Sequence, residues 1–296
     1  MSLAAAGLLV GVNHVGMAVC DLDVAAARFT ALGFQVTPYS PHAAAWKPGE
    51  AVQPLGSGNR CLMFPGNYLE VLGSADPRHQ AARVAGFLAR HQGAHIICFD
   101  GEDLPAAEAR LAASGLATSG ILPLQREVET PDGTRTARFE RLQFSPGDSP
   151  EGYIQVARHL TPDFIYQPRH CQHPNGALAL TETLVLADDL PAFIAKYARY
   201  AGFGPAEHSP GRAVFRFASG QRLTLLDLPR GRAALPGTLL PMPPCIAAIA
   251  FACADPDAAA RHAAAAGATV IALPDGRTMI PAEDACGLAL LFERGA

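Results

Sequence analysis

Asn67-Tyr-Leu-Glu-Val-Leu72 and Gly152-Tyr-Ile-Gln-Val-Ala157 write one pattern twice. In both, apolar residues alternate with others, the period of a strand with one buried face. Glu70 and Gln155 fall at the same place, and Tyr68 and Tyr153 share their face. A carboxylate among apolar neighbours is costly unless something positive meets it. Two more strand-like stretches each carry a histidine: His14 in Val12-Asn-His-Val-Gly16 and His95 in Gly93-Ala-His-Ile-Ile97.

Working outward, each histidine strand opens a repeated unit. In the first, the strand 12–19 is followed by Asp21-Leu-Asp23, a helix cap, and a helix over 24–32 stopped by Gly33. Strands are expected at 35–39, 60–64 and 68–72, which gives β-α-β-β-β. The second unit has its strand at 95–99, a helix from Glu102-Asp-Leu-Pro105 to Ser114-Gly115, and strands at 117–122, 136–144 and 153–158. The third starts at 181–186, with Asp188-Asp189 as cap and Gly202 as stop, and the fourth at 246–253, with Asp255-Pro-Asp257 and Gly267. Their later strands are expected at 213–217 and 223–228, then at 269–273, 277–280 and 288–293. The distance from first-strand position to helix-stop glycine is 19 from His14 (33 − 14), 20 from His95 (115 − 95), 20 from Glu182 (202 − 182) and 19 from Ala248 (267 − 248). Four such agreements argue for true repetition. The expected fold is α+β: four βαβββ modules paired into two cup-shaped mixed sheets. The expected division is an N-terminal domain over 1–160, a Pro-rich linker over 161–176 and a C-terminal domain over 177–296.

The bulk numbers narrow the function. A chain of 296 residues with 49% hydrophobic and 17% charged residues is a well-packed globular protein, long enough for two domains. Net charge is −4 with no basic run, which speaks against nucleic acid or an anionic membrane as partner. The mildly apolar start carries no Lys or Arg ahead of it and is expected to be neither a signal peptide nor a membrane span. The seven cysteines are scattered, odd in number and without a Cys-x-x-Cys pair, so they read as small buried hydrophobes in a reducing, cytoplasmic setting.

The βαβββ order, with Asn13-His-Val-Gly-Met-Ala-Val19, Gly58-Asn-Arg-Cys-Leu-Met-Phe64 and Asn67-Tyr-Leu-Glu-Val-Leu72, resembles the vicinal oxygen chelate superfamily, and most of all its glyoxalase-like branch. That superfamily includes glyoxalase I, extradiol ring-cleaving dioxygenases, methylmalonyl-CoA epimerase and fosfomycin-resistance proteins. The resemblance implies that two modules curl into one cup and hold a divalent metal ion (Zn, Ni, Mn or Fe) from their first and last strands. Carried onto this chain, the ligand positions are His14, Glu70, His95 and Gln155, at intervals of 56 (70 − 14) and 60 (155 − 95). Gln155 departs from a second glutamate, and glutamine is a weaker ligand and no base. The second pair of modules departs further. It has Glu182 and Ala248 at the first-strand positions and Asp227 as the nearest polar residue late in module three, so no metal is expected there.

The function implied is a metal-dependent enzyme on a small oxygen-bearing molecule, of isomerase or lyase type, with Glu70 as the ligand able to double as base. A ring-cleaving dioxygenase and a non-catalytic drug- or toxin-binding protein are the alternatives. Tyr68, Tyr153 and Arg60 are candidate substrate contacts, though the tyrosines serve equally as packing and Arg60 as a surface residue. His170 and His173 in the linker read as loop residues. The segment 40–58, which holds the only tryptophan, Trp46, reads as a long loop able to cover a site. A monomer and a homodimer are both compatible with the sequence.

Overall fold

The computed structural model describes residues 8–44 and 53–295. Module one comprises β1 (Gly11–Ala18), α1 (Leu22–Ala31), β2 (Ser40–Ala44), β3 (Gln53–Phe64) and β4 (Asn67–Ser74), followed by a short helix α2 (Ala82–Leu88). Module two comprises β5 (Gly93–Asp100), α3 (Leu104–Ala113), β6 (Thr118–Thr130), β7 (Gly133–Phe144) and β8 (Tyr153–His159), and then α4 (Pro162–Ile165). Module three comprises β9 (Ala177–Leu186), α5 (Leu190–Ala201), β10 (Glu207–Ser209), β11 (Arg212–Arg216) and β12 (Arg222–Leu226), followed by α6 (Leu228–Ala234). Module four comprises β13 (Cys245–Cys253), α7 (Pro256–Ala265), β14 (Ile271–Ala272), β15 (Thr278–Ile280) and β16 (Ala289–Arg294).

The repetition is chemical as well as topological. The long helix of every module is capped by an aspartate, Asp21, Asp103, Asp189 or Asp255, whose carboxylate accepts a backbone N–H of the first turn. The stop glycines Gly33, Gly115, Gly202 and Gly267 all have positive φ, between 71° and 89°. The strands form two eight-stranded mixed sheets in matching order, β2-β3-β4-β1-β5-β8-β7-β6 and β10-β11-β12-β9-β13-β16-β15-β14. In each sheet, the first strands of the two modules meet antiparallel at the centre, and each pairs parallel with the last strand of its own module.

Several boundaries differ from expectation. Residues 35–39 are not a strand: Gln35 N–H donates to His173 Nδ1, and Thr37 makes one backbone bond to the Cys61 carbonyl while its hydroxyl accepts from Cys61 N–H. The expected loop over 40–58 begins with β2 and ends inside β3, and Trp46 lies outside the described residues. The β6–β7 hairpin is far longer than 117–122 and 136–144, because its exposed tip alternates polar residues on both faces and hides the strand period. Asp227 belongs to no strand and instead caps α6.

The outer faces of both sheets pack with α1, α3, α5 and α7 into one apolar core that includes Phe29, Phe34, Phe64, Phe99, Phe251 and Phe292. Two side-chain amides stitch the sheets together. Gln221 donates to Val12 O and accepts from Val12 N–H, at 2.8 and 2.9 Å. Asn67 does the same with Leu180, at 3.0 Å each way. Asn67 precedes Tyr68, the partner of His14, and Gln221 precedes Arg222, the partner of Glu182. The two clamps are therefore equivalent under the pseudo-twofold that relates modules one and three. Among the described residues no helix is long and apolar enough to cross a membrane, and all seven cysteines are free.

Candidate functional site

Ladder registers fix which side chains share the concave face of the N-terminal sheet. Directly opposed residues lie on one face. The pairs Asn59–Leu72, Cys61–Glu70, Glu70–Gly16, His14–Tyr68, His14–Cys98, Cys98–Gln155 and Gln155–Gln143 thread that face across six strands. Arg141 and His159 continue it, two and four places along their strands, and Ser40 joins it opposite Asn59. Apolar groups close both ends: Val84 and Phe87 of α2 against Leu72 and Ile96, and Phe164, Ile165 and Tyr166 against Cys61, Met63 and Tyr68.

At the centre stand His14 and Glu70. His14 Nδ1 donates to Asn13 Oδ1 at 2.9 Å, since the Asn13 amide nitrogen is turned to the Tyr166 hydroxyl at 3.1 Å. This leaves Nε2 as the imidazole's lone pair. The ring stacks on Tyr68 with centroids 4.5 Å apart. Burial pushes the His14 pKa down to about 4, against the pull of the Glu70 charge. Glu70 Oε1 accepts from Asn59 Nδ2 at 2.6 Å and lies 3.7 Å from His42 Nε2. Burial alone would raise its carboxyl, but His14, His42 and the Asn59 amide hold it below its ordinary value. Gly16 leaves room for this carboxylate: a Cβ there would lie 3.1 Å from Glu70 Oε2 and 2.8 Å from Ile96.

The four residues expected to share an ion are not brought together. Ile96 pairs with Tyr153 as His14 pairs with Tyr68, so the counterpart of His14 in module two is Ile96, and that of Glu70 is Gln155. His95 is one residue off, at a bulge where the partners step from Gly16–Ile96 to Met17–Ala94. Its ring stacks on Phe87 at 4.9 Å and its Nε2 donates to the His91 carbonyl at 2.8 Å, beside α2. Gln155 does face the cup, with Oε1 buried and without a protein partner. Among the described residues, no group of three or more His, Cys, Asp or Glu side chains is placed to hold a metal ion.

The remaining expectations divide. Tyr68 is on the concave face, against His14. Tyr153 is there too, its hydroxyl donating to Gln143 Oε1 at 2.6 Å. Arg60 does not face the cup: it sits one residue out of phase with Asn59 and Cys61 and binds Asp23 at 2.9 Å on the α1 side. His173 is structural, bonded to Gln35 N–H and to the Met63 carbonyl. Sequence reasoning missed His42, Asn59 and His159. Asn59 and His159 were within reach, since strand alternation from Cys61 and from Gln155 leads to both. The C-terminal cup holds Glu182 in place of His14 and Thr224 in place of Glu70. Its interior is filled by Leu184, Leu186, Leu226 and Leu291 with α6, and Glu182 is consumed by ion pairs to Arg222 and Arg277 at 3.1 and 2.9 Å.

The glyoxalase-like domain profile matches residues 12–201, from β1 to the end of α5, and the chain belongs to that family. Among solved structures, a hypothetical protein from Staphylococcus aureus aligns at TM-score 0.66 with 11% identity, over 96% of this chain and 99% of that one. A variant of 4-hydroxymandelate synthase from Streptomyces coelicolor aligns at TM-score 0.61 with 13% identity, over 98% and 95%. A fusion of a xylose isomerase-like TIM barrel with 4-hydroxyphenylpyruvate dioxygenase aligns at 0.57 with 15% identity, over all of this chain and 51% of that one. At these identities the likeness is one of fold. No curated protein sequence matches this chain.

Two expected outcomes follow from the histidines. Replacing His95 with Ala removes a buried ring from α2 and should cost roughly 1–3 kcal/mol of stability, while ligand binding in the cup stays within about twofold of wild type. Calorimetric binding beside thermal melting checks both. His14 and His95 are held neutral by burial, each with its pKa near 4, and His159 with its near 3. The unfolded chain therefore takes up these protons first as the pH drops below about 6.5. Their contribution to stability is intact above that pH and is lost progressively toward pH 4. Denaturant midpoints from pH 7 to 4 should fall steadily, and a flat profile would contradict the buried neutral rings.

Proposed function

We propose that the N-terminal cup moves a proton on a small oxygen-bearing molecule, in isomerase- or lyase-type chemistry, with Glu70 as the base. The observation that carries this reading is the Glu70 carboxylate in a largely buried cup, held below its ordinary pKa, bonded by the Asn59 amide and flanked by His14 and His42. A positioned carboxylate beside a carbonyl substrate can take the proton from the adjacent carbon. The C–H electron pair moves into a C=C bond and the carbonyl oxygen gains the charge. Returning the proton to the same carbon on its opposite face restores the carbonyl and inverts that centre, an isomerisation with no change of redox state. The guanidinium groups of Arg126 and Arg141, on the same concave face, would meet the charged oxygen.

The metal-assisted form implied by the resemblance lacks its second histidine in the cup, because Ile96 stands at the place of His14 in module two. The test is hydrogen–deuterium exchange at the carbon next to the carbonyl of a small 2-oxo acid or hydroxyketone, followed by NMR. Wild type should catalyse exchange and Glu70→Gln should not; exchange that survives in Glu70→Gln overturns the assignment. A protein that binds such compounds and leaves every hydrogen in place is a binder, not an enzyme.

A further inference from the structure

Three guanidinium groups border the N-terminal cup, and none has a carboxylate partner among the described residues. Arg126 faces Ala137 on the concave side of the β6–β7 ladder. It reaches across to the opposite edge strand, where Nη1 donates to Ser40 Oγ at 3.4 Å, and its guanidinium lies 5.6 Å from the Phe139 ring. Arg141 Nη1 donates to the Tyr153 hydroxyl at 3.1 Å. The Nε atoms of both arginines are buried without a protein partner. Arg83, on α2 at the rim, lies 4.3 Å over the Tyr153 ring.

The acids on this face do not answer them. Glu70 is held by Asn59. Asp100 stands beside the Asn13 amide, its carboxyl pushed up to about 6 by burial. Other half-buried arginines are neutralised: Arg222 and Arg277 by Glu182 and Glu293, and Arg60 by Asp23. A half-buried cation without a counter-charge is costly, and a binding site is where such a cost recurs.

We propose that the N-terminal cup receives a small organic oxyanion, a carboxylate or phosphate group anchored by Arg126, with Arg141 and Arg83 completing the positive wall and Phe139 and Tyr153 flanking a planar body. Arg126 is the anchor because its guanidinium crosses the cup from β6 to Ser40 on the opposite edge strand, with Nε buried and without a protein partner. A guanidinium binds an oxyanion by a fork of parallel hydrogen bonds, which lysine cannot reproduce. This inference rests on the cup being the ligand site, and names the substrate class for it.

The experiment is calorimetric titration of the full chain with benzoate, inorganic phosphate and neutral benzamide. Benzoate or phosphate should bind and benzamide should not, which separates an oxyanion from a merely flat ring. Binding of benzoate alone assigns the group to a carboxylate, and of phosphate alone to a phosphate. Arg126→Met should weaken the oxyanion at least about tenfold, with Arg126→Lys in between. Glu70→Gln should keep or tighten binding, because it removes a repelling charge from the cup while ending proton transfer. Wild type that binds no oxyanion, or that binds benzamide as well as benzoate, overturns the proposal. So does a folded Arg126→Met that binds as wild type, or Arg141→Met in its place if that variant fails to fold. Oxyanion binding that depends on Arg126, with exchange that survives Glu70→Gln, sinks the proton-transfer reading alone.

Discussion

Glu70→Gln is expected to lower proton exchange by at least about a hundredfold, the usual worth of a positioned general base, with little change in melting temperature. The substitution preserves volume and keeps an acceptor for Asn59 Nδ2, so the cup stays packed. What it removes is the carboxylate that takes the proton. His14→Phe should act through the same carboxylate. The phenyl ring keeps the stack on Tyr68 but loses the polar neighbour, so burial, now less opposed, raises the Glu70 pKa. The rate–pH profile of His14→Phe should therefore shift its acid limb upward, whereas a purely structural histidine would leave that limb in place. Unchanged rates in both variants would remove Glu70 and His14 from the chemistry together.

Lys196→Met is expected to be the most destabilising single change at the junction of the two sheets. Glu151, in the turn between β7 and β8, is fully buried, and both its oxygens lie 2.7 Å from Lys196 Nζ on α5. The Tyr197 hydroxyl donates to Oε1 at 2.7 Å. Removing the cation strands a carboxylate in an apolar core at a cost of about 3–5 kcal/mol, which for a chain of this size lowers Tm by roughly 5–15 °C. Adding Glu151→Gln should restore most of that loss, since a neutral amide no longer needs the ammonium. If Lys196→Met melts within about 2 °C of wild type, the pair contributes no more than a surface bridge does.

Periodicity made the architecture legible because the modules repeat their punctuation: an aspartate before each long helix and a positive-φ glycine after it. The site was half legible. His14, Glu70 and Gln155 were placed correctly on the cup by alternation, while His95 was aligned with His14 one residue out of register. Spacing could not reveal the offset: Glu182 also stands 20 residues before its glycine, yet it is in register with His14. The shift comes from the bulge between β1 and β5, and a one-residue offset in a strand changes which side chain reaches the cup. Arg126 and Arg141 were invisible for another reason: they belong to a hairpin whose exposed, polar tip hides its length.

The paired amide clamps have a consequence for how the molecule can work. Gln221 and Asn67 mimic strand backbone at two symmetry-related points, each making two hydrogen bonds to the other sheet. Swinging one half against the other would break all four at once and open a shared phenylalanine core. Hinge closure, the device by which many two-lobed proteins trap a ligand, is thus denied to this fold. Traffic in and out of the cup must be governed locally, by the short helix that carries Arg83 and by the rim strands that Arg126 and Ser40 tie together.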